Sequence, residues 1–178
     1  MTFLRSHLGT TNLVRHSLAT EAILRALARR LGEDEELWGL TGLFHDLDLD
    51  LVGGDMARHA RTTVDILKKM GFPDEGLAAI LAHNGDVLGV PLRTPLDIAL
   101  LAAETTTGLI VAAALVVPTR KLADVAAKSV LKRMKEQRFA AGVDRAKVMK
   151  CEALGIPLPE FIELSLEAMR GVAADIGL

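Results

Sequence analysis

Helical periodicity is the feature of this sequence that most restricts its fold. Between Asn12 and Leu31 apolar residues recur every three or four positions, and Gly32 follows as a stop. This spacing predicts an amphipathic helix. We find no segment with the alternation of apolar and polar residues that a half-buried strand requires. The chain is therefore predicted to be all-α.

Glycine, proline and capping residues divide the rest of the chain into further helices. We expect them from Glu33 to about Asp46, Met56 to Met70, Pro73 to near His83, Thr94 to about Val117 and Lys121 to Arg138, with two more bounded by Asp144, Gly155, Pro157 and Pro159. About seven or eight helices without a linker indicate a single-domain helical bundle over residues 1–178. Its core is expected at about 12–117, with the C-terminal helices of 119–178 packed on it.

Charge and composition restrict the partners of this chain. The net charge of -2 gives no general attraction to nucleic acid or to an anionic membrane, and tyrosine is absent. The uncharged tract Thr105–Thr119 is shorter than the ~20 residues of a membrane-spanning helix. We therefore expect no membrane and no nucleic-acid polymer as partner. One cysteine, Cys151, and a start without a signal-peptide pattern predict a cytoplasmic protein, with no particular oligomeric state indicated.

Histidines and one aspartate are the candidate metal ligands. Four of the five histidines lie at or near predicted helices: His16, His45, His59 and His83. Asp46 follows His45 at the end of a nearly uncharged run, and a buried carboxylate requires a cation or hydrogen-bond donors. Imidazole and carboxylate groups bind divalent metals. Four unrelated histidines are the alternative, and His7 is expected to face solvent.

The segment Gly42–Asp48 resembles the signature of the HD-domain metal-dependent phosphohydrolase superfamily. As in that superfamily, His16 precedes the segment on a helix, and His59 and His83 follow it. The stretches Lys128–Val130 and Arg138–Asp144 also resemble its small stand-alone members. The resemblance implies a helical hydrolase in which a metal-activated water attacks a phosphate ester, with His45 and Asp46 as catalytic residues. One or two divalent ions (Mn, Fe, Co, Ni, Zn or Mg) are the implied cofactor.

The resemblance also implies which residues hold the metal. His16, His45 and Asp46 would be ligands, and an acid on the helix after His83 would complete the set. Glu104 stands where small relatives carry an aspartate, while Asp97, seven residues earlier, is the competitor. Because a helix cap already explains Asp97, we expect Glu104 to be the ligand.

The same resemblance assigns His59 and His83 to a second metal or to a substrate phosphate. Lys128 and Lys132 lie on one face of the predicted basic helix, so they either contact a substrate phosphate or form part of a solvated face. The expected substrate is a small nucleotide or a phosphorylated metabolite. Two alternatives stay open, a metal- or nucleotide-binding module with little turnover and a di-iron oxygenase of the same superfamily.

Overall fold

A computed structural model describes residues 2–178, and the regular structure in this range is helical throughout. The α-helices are α1 (Thr2–His7), α2 (Thr11–Leu31), α3 (Glu35–Phe44), α4 (Leu49–Val52), α5 (Arg61–Lys69), α6 (Asp74–His83), α7 (Gly85–Leu88), α8 (Pro95–Val116), α9 (Ala127–Met134), α10 (Arg145–Val148), α11 (Leu158–Gly171) and α12 (Ala173–Ile176). Two 3₁₀ segments occupy Leu122–Asp124 and Met149–Leu154. The predicted all-α class is confirmed.

Helix boundaries differ from the predicted ones in two regions. The helix expected over Met56–Met70 begins only at Arg61, after turns that include Ala60 with a φ of 69°. The basic helix expected over Lys121–Arg138 is reduced to α9. Side chains take over backbone carbonyls on both sides of α9, because Arg170 donates to Val125 O at 2.6 Å and Arg145 to Glu136 O at 3.3 Å. A continuous helix would use the Val125 carbonyl for the N–H of Ser129, which instead bonds to Ala126 O at 2.9 Å.

The N-terminal segment is also more ordered than the sequence indicates. Residues 2–7 form α1, and His7 is half-buried rather than facing solvent. Its ring packs on that of Phe3, with centroids 4.6 Å apart, and its Nδ1 lies 3.1 Å from the Phe3 carbonyl oxygen. This contact within one helical turn covers part of the ring, so His7 is only partly exposed to solvent.

Two long helices, α2 and α8, carry the main hydrophobic core. They pack on each other, and α11 packs on both. Ile23 of α2, Leu100 of α8 and Phe161 of α11 are fully buried members of this core. A smaller core lies around α1, α5 and α6 and contains Leu4 and Ile80. The candidate metal ligands lie on α2, at the ends of α3 and α6, and in the turns before α5.

Helix α8 is apolar enough to resemble a membrane span. Within residues 2–178 it is the one helix whose length and composition would allow it to cross a membrane, but 61% of its most apolar window is buried inside the fold. Its N-terminus has the expected capping box, in which Thr94 and Asp97 bond each other's backbone N–H groups.

Candidate metal centre

The end of α3 brings His45 and Asp46 into the protein interior. Asp34 caps the start of this helix by accepting two backbone N–H groups, and glycines let the helix approach α2 closely. A Cβ at Gly42 would lie 2.9 Å from Leu24 Cδ1, so only glycine fits there without displacement. As a result, His45 is fully buried and Asp46 is 7% exposed.

One oxygen of Asp46 faces two histidines from α2 and α3. Its Oδ2 lies 3.6 Å from His16 Nε2 and 3.3 Å from His45 Nε2. The two Nε2 atoms are themselves 3.2 Å apart. These three side chains form a first group that could hold a metal ion, which we call the His16 group.

The other oxygen of Asp46 faces a second pair of histidines. Its Oδ1 lies 3.4 Å from His59 Nε2 and 3.5 Å from His83 Nε2, and these nitrogens are 3.0 Å apart. Asp46, His59 and His83 form a second group that could hold a metal, the His59 group. Asp46 therefore belongs to both groups, with one oxygen in each.

Hydrogen bonds to Nδ1 orient three of the four imidazoles. His45 Nδ1 donates to Gly42 O at 2.8 Å, and His83 Nδ1 donates to Ile80 O. His59 Nδ1 donates to the buried Asp48 carboxylate at 2.7 Å. Carbonyl and carboxylate oxygens only accept, so the ring proton lies on Nδ1 in each case.

Thr107 of α8 orients the fourth imidazole. Its hydroxyl donates its single proton to Glu104 O at 2.7 Å, so it accepts from His16 Nδ1 at 2.9 Å. The Nε2 atoms of His16, His45, His59 and His83 thus all point toward Asp46. Imidazoles held through Nδ1 with Nε2 directed inward are the usual arrangement of metal-binding histidines, so these residues fit a divalent ion.

The side chains of the His16 group shift one another's pKa values. Burial opposes a charged His45, but the Asp46 carboxylate outweighs it and raises the pKa of His45 to about 9. Burial and the charge on His45 lower the pKa of His16 to about 4. The pKa of Asp46 lies well below its usual value in spite of burial, chiefly because of His45. A metal ion in this group therefore competes with a proton on His45.

A known protein family matches the part of the chain that contains these candidate metal ligands. The family model of the HD domain matches residues 13–115, more than half of the chain. The chain belongs to the HD-domain family. This family comprises metal-dependent phosphohydrolases, so the resemblance on the His-Asp segment is confirmed and the chain belongs to an enzyme family of that class. Both candidate metal groups lie within the HD domain.

Several ribonucleases Y resemble part of this chain. The ribonuclease Y of Desulfotalea psychrophila is 34% identical over 97 residues, which are 54% of this chain and 18% of that protein. The ribonuclease Y of Lactobacillus acidophilus is 35% identical over 80 residues, which are 43% of this chain and 14% of that protein. The chain thus spans less than a fifth of the length of these relatives. No solved structure matches it significantly.

Glu104 of the HD domain lies near the centre but outside both groups. Its carboxylate accepts a hydrogen bond from Thr105 Oγ1 at 2.7 Å, and its side chain lines a cavity of about 320 Å³ together with His16. Its competitor Asp97 is fully engaged in the cap, where its oxygens accept from Thr94 Oγ1 at 2.8 Å and from Arg93 N at 2.7 Å. Asp97 is thus held in the helix cap, whereas Glu104 lies beside His16.

Lys128 and Lys132 do not lie at the centre. Both are exposed on α9 and line a surface depression with Leu131 and Lys135, none of which belongs to either metal group. Lys147 on α10 instead lines two cavities next to the centre, one with His83 and one with His16 and Glu104. Nothing in the local sequence distinguishes Lys147 from the other lysines, because only the packing of the C-terminal segment places it there.

Proposed function

We propose that this chain is a metal-dependent hydrolase, and that the scissile phosphate of its ester substrate binds at the metal centre around Asp46. The observation that carries this proposal is that each Asp46 oxygen faces two imidazole Nε2 atoms, at 3.3 to 3.6 Å. The substrate that we favour is a small nucleotide or a phosphorylated metabolite, with water as the nucleophile.

Two divalent ions would share Asp46. His16, His45 and Asp46 would hold one of them, and Asp46, His59 and His83 the other. Several imidazoles with one carboxylate favour Mn, Fe, Co, Ni or Zn over Mg, which prefers oxygen ligands. When bound, such ions lower the pKa of a water molecule and withdraw charge from phosphoryl oxygens.

The surrounding residues of this chain hold these ligands in place. Asp48 and Thr107 bind the Nδ1 atoms of His59 and His16, which leaves each Nε2 directed toward Asp46. Glu104 is the acid that we propose to complete the His16 group, because it lines the cavity next to His16 while Asp97 is held in the helix cap. In this proposal Glu104 acts on the solvent side of the centre, where its side chain is half-buried.

RNA is a second candidate substrate. The similarity of the HD domain to proteins named ribonuclease Y favours it, since these relatives share about a third of the residues in the matched region. Hydrolysis of an RNA phosphodiester would use the same water nucleophile and the same metal groups. A small nucleotide and a short RNA therefore have to be compared directly.

The test is a metal analysis followed by a substrate screen. Protein purified without chelator is analysed for bound metal and then assayed with phosphomonoesters, nucleotides and short RNA in the presence of Mn, Co, Ni or Mg. We expect metal-dependent hydrolysis that is lost, together with the metal, in Asp46→Ala, while circular dichroism shows a folded helical protein. Asp50→Ala, which removes a nearby exposed acid, is the matched control.

Other results would contradict the proposal in different ways. Full metal occupancy in Asp46→Ala would overturn the site. Ligand-induced stabilisation without any product would favour a binding module, because binding to the folded state raises the Tm without chemistry. Bound iron with oxygen consumption in place of hydrolysis would favour a di-iron oxygenase.

A further inference from the structure

A cavity of about 620 Å³ adjoins the centre on the side of His83. Its lining includes His83, Asp86, Lys147 and Lys150. Lys147 also lines the smaller cavity next to His16 and Glu104. Lys147 therefore lines both the cavity next to His83 and the cavity next to His16, whereas Lys150 lines only the one next to His83.

Lys147 already binds a negatively charged oxygen at this position. Its Nζ lies 2.7 Å from Asp86 Oδ2, and this contact lowers the pKa of Asp86. The Lys147 side chain is 28% exposed, but that of Asp86 is 77% exposed and can turn into solvent. The other acid of the cavity, Asp144, is held by its own cap bond to Ala146 N at 2.8 Å.

Another cavity next to His16 is more apolar. Its volume is about 420 Å³, and its lining includes the apolar side chains of Val111, Leu115 and Ile176 with Arg15 as its one cation. An anionic part of a ligand that extends from the centre is therefore better accommodated on the Lys147 side.

We propose that Lys147 and Lys150 bind a second phosphate of the substrate in the cavity next to His83, in the place that the Asp86 carboxylate takes in its ion pair. The inference rests on the proposed hydrolysis at Asp46 and adds that the substrate carries at least two phosphates. A phosphate has more charge and more acceptor oxygens than a carboxylate, so it competes with Asp86 for the lysine ammonium groups.

Calorimetric titration of the Mn²⁺-loaded protein with orthophosphate and pyrophosphate, at fixed free Mn²⁺, tests this inference. We expect pyrophosphate to bind more tightly than orthophosphate, and Lys147→Gln to weaken pyrophosphate binding about tenfold with orthophosphate unchanged. Lys150→Gln should have a smaller effect in the same direction. Lys69→Gln, which removes an exposed lysine at the end of α5, is the matched charge control.

Asp86→Asn should affect pyrophosphate affinity in the opposite direction from Lys147→Gln. It frees Lys147 from its carboxylate partner and should strengthen pyrophosphate binding about two- to fivefold, as expected for the loss of an exposed ion pair. An unchanged preference for pyrophosphate in Lys147→Gln, or weaker pyrophosphate binding in Asp86→Asn, would overturn the inference.

Two further ligands distinguish the sources of the second phosphate. ADP presents it as a diphosphate, and the dinucleotide pApA presents it across a nucleoside. Lys147-dependent binding of either one supports the inference and identifies the source, and Lys147-independent binding of both contradicts it. If the protein hydrolyses a phosphate ester but Lys147→Gln does not weaken pyrophosphate binding, only the inference is rejected. If Lys147→Gln weakens pyrophosphate binding but no ester is hydrolysed, only the proposed function is rejected.

Discussion

Asp48 connects His59 to the start of α5, and its replacement tests the geometry of the His59 group. Its Oδ1 accepts from His59 Nδ1 at 2.7 Å and its Oδ2 accepts from Thr63 N at 2.9 Å. The side chain is fully buried, so solvent cannot replace either bond. The carboxylate thereby keeps the His59 proton on Nδ1 and the Nε2 lone pair directed toward Asp46.

Asp48→Asn leaves one acceptor oxygen for two donors. With the amide oxygen on Thr63 N, the NH₂ group faces His59 Nδ1, and the ring proton must move to Nε2, where it blocks a metal. With the oxygen on His59, the Thr63 N–H is left unsatisfied at a cost of about 1–3 kcal/mol. We therefore expect the metal affinity of the His59 group to fall about 10–100-fold, or roughly 1.4–2.7 kcal/mol.

Competition with a fluorescent chelator, combined with elemental analysis, measures this effect. The wild-type protein should bind two ions, and Asp48→Asn should retain the ion of the His16 group while losing the other at low metal concentration. Asp50→Asn is the control, because Asp50 also accepts backbone N–H groups, from Gly9 and Thr10, but is exposed and contacts no histidine. If Asp48→Asn binds both ions as tightly as the wild-type protein does, the reasoning is refuted.

Three further predictions concern other parts of the protein. Glu104→Gln should lower metal affinity, whereas Asp97→Asn should retain the metal and cost at most about 1 kcal/mol of stability; metal titration with the opposite result would reverse the assignment. Gly42→Ala places a Cβ 2.9 Å from Leu24 Cδ1 and should lower the free energy of unfolding by about 1–3 kcal/mol in urea titrations, and unchanged stability would contradict this. Burial raises the pKa of Cys151 to about 11, so a thiol reagent at about pH 8 should label it only after unfolding, and rapid labelling of the native protein would count against a buried thiol.

Local sequence patterns are sufficient to predict most of the helices and the types of residue that could bind a metal. The apolar spacing of α2 and the cap at Thr94 depend on residues within a few positions, so they could be predicted without tertiary information. The adjacent His45 and Asp46 at the end of an uncharged run indicated a buried polar pair. The continuous helix expected over Lys121–Arg138 is wrong at its start, where Arg170, 45 positions away, binds the Val125 carbonyl.

The sequence by itself determined the all-α class, the HD-domain resemblance and the four histidines with Asp46 as candidate ligands. Only the tertiary structure decided that each Asp46 oxygen faces its own pair of histidines, and that Lys147 rather than Lys128 or Lys132 lies beside them. The physical reason is distance along the chain. Periodicity determines which face of a helix is buried, but contacts such as that between His16 and Thr107, 91 positions apart, depend on how whole helices pack.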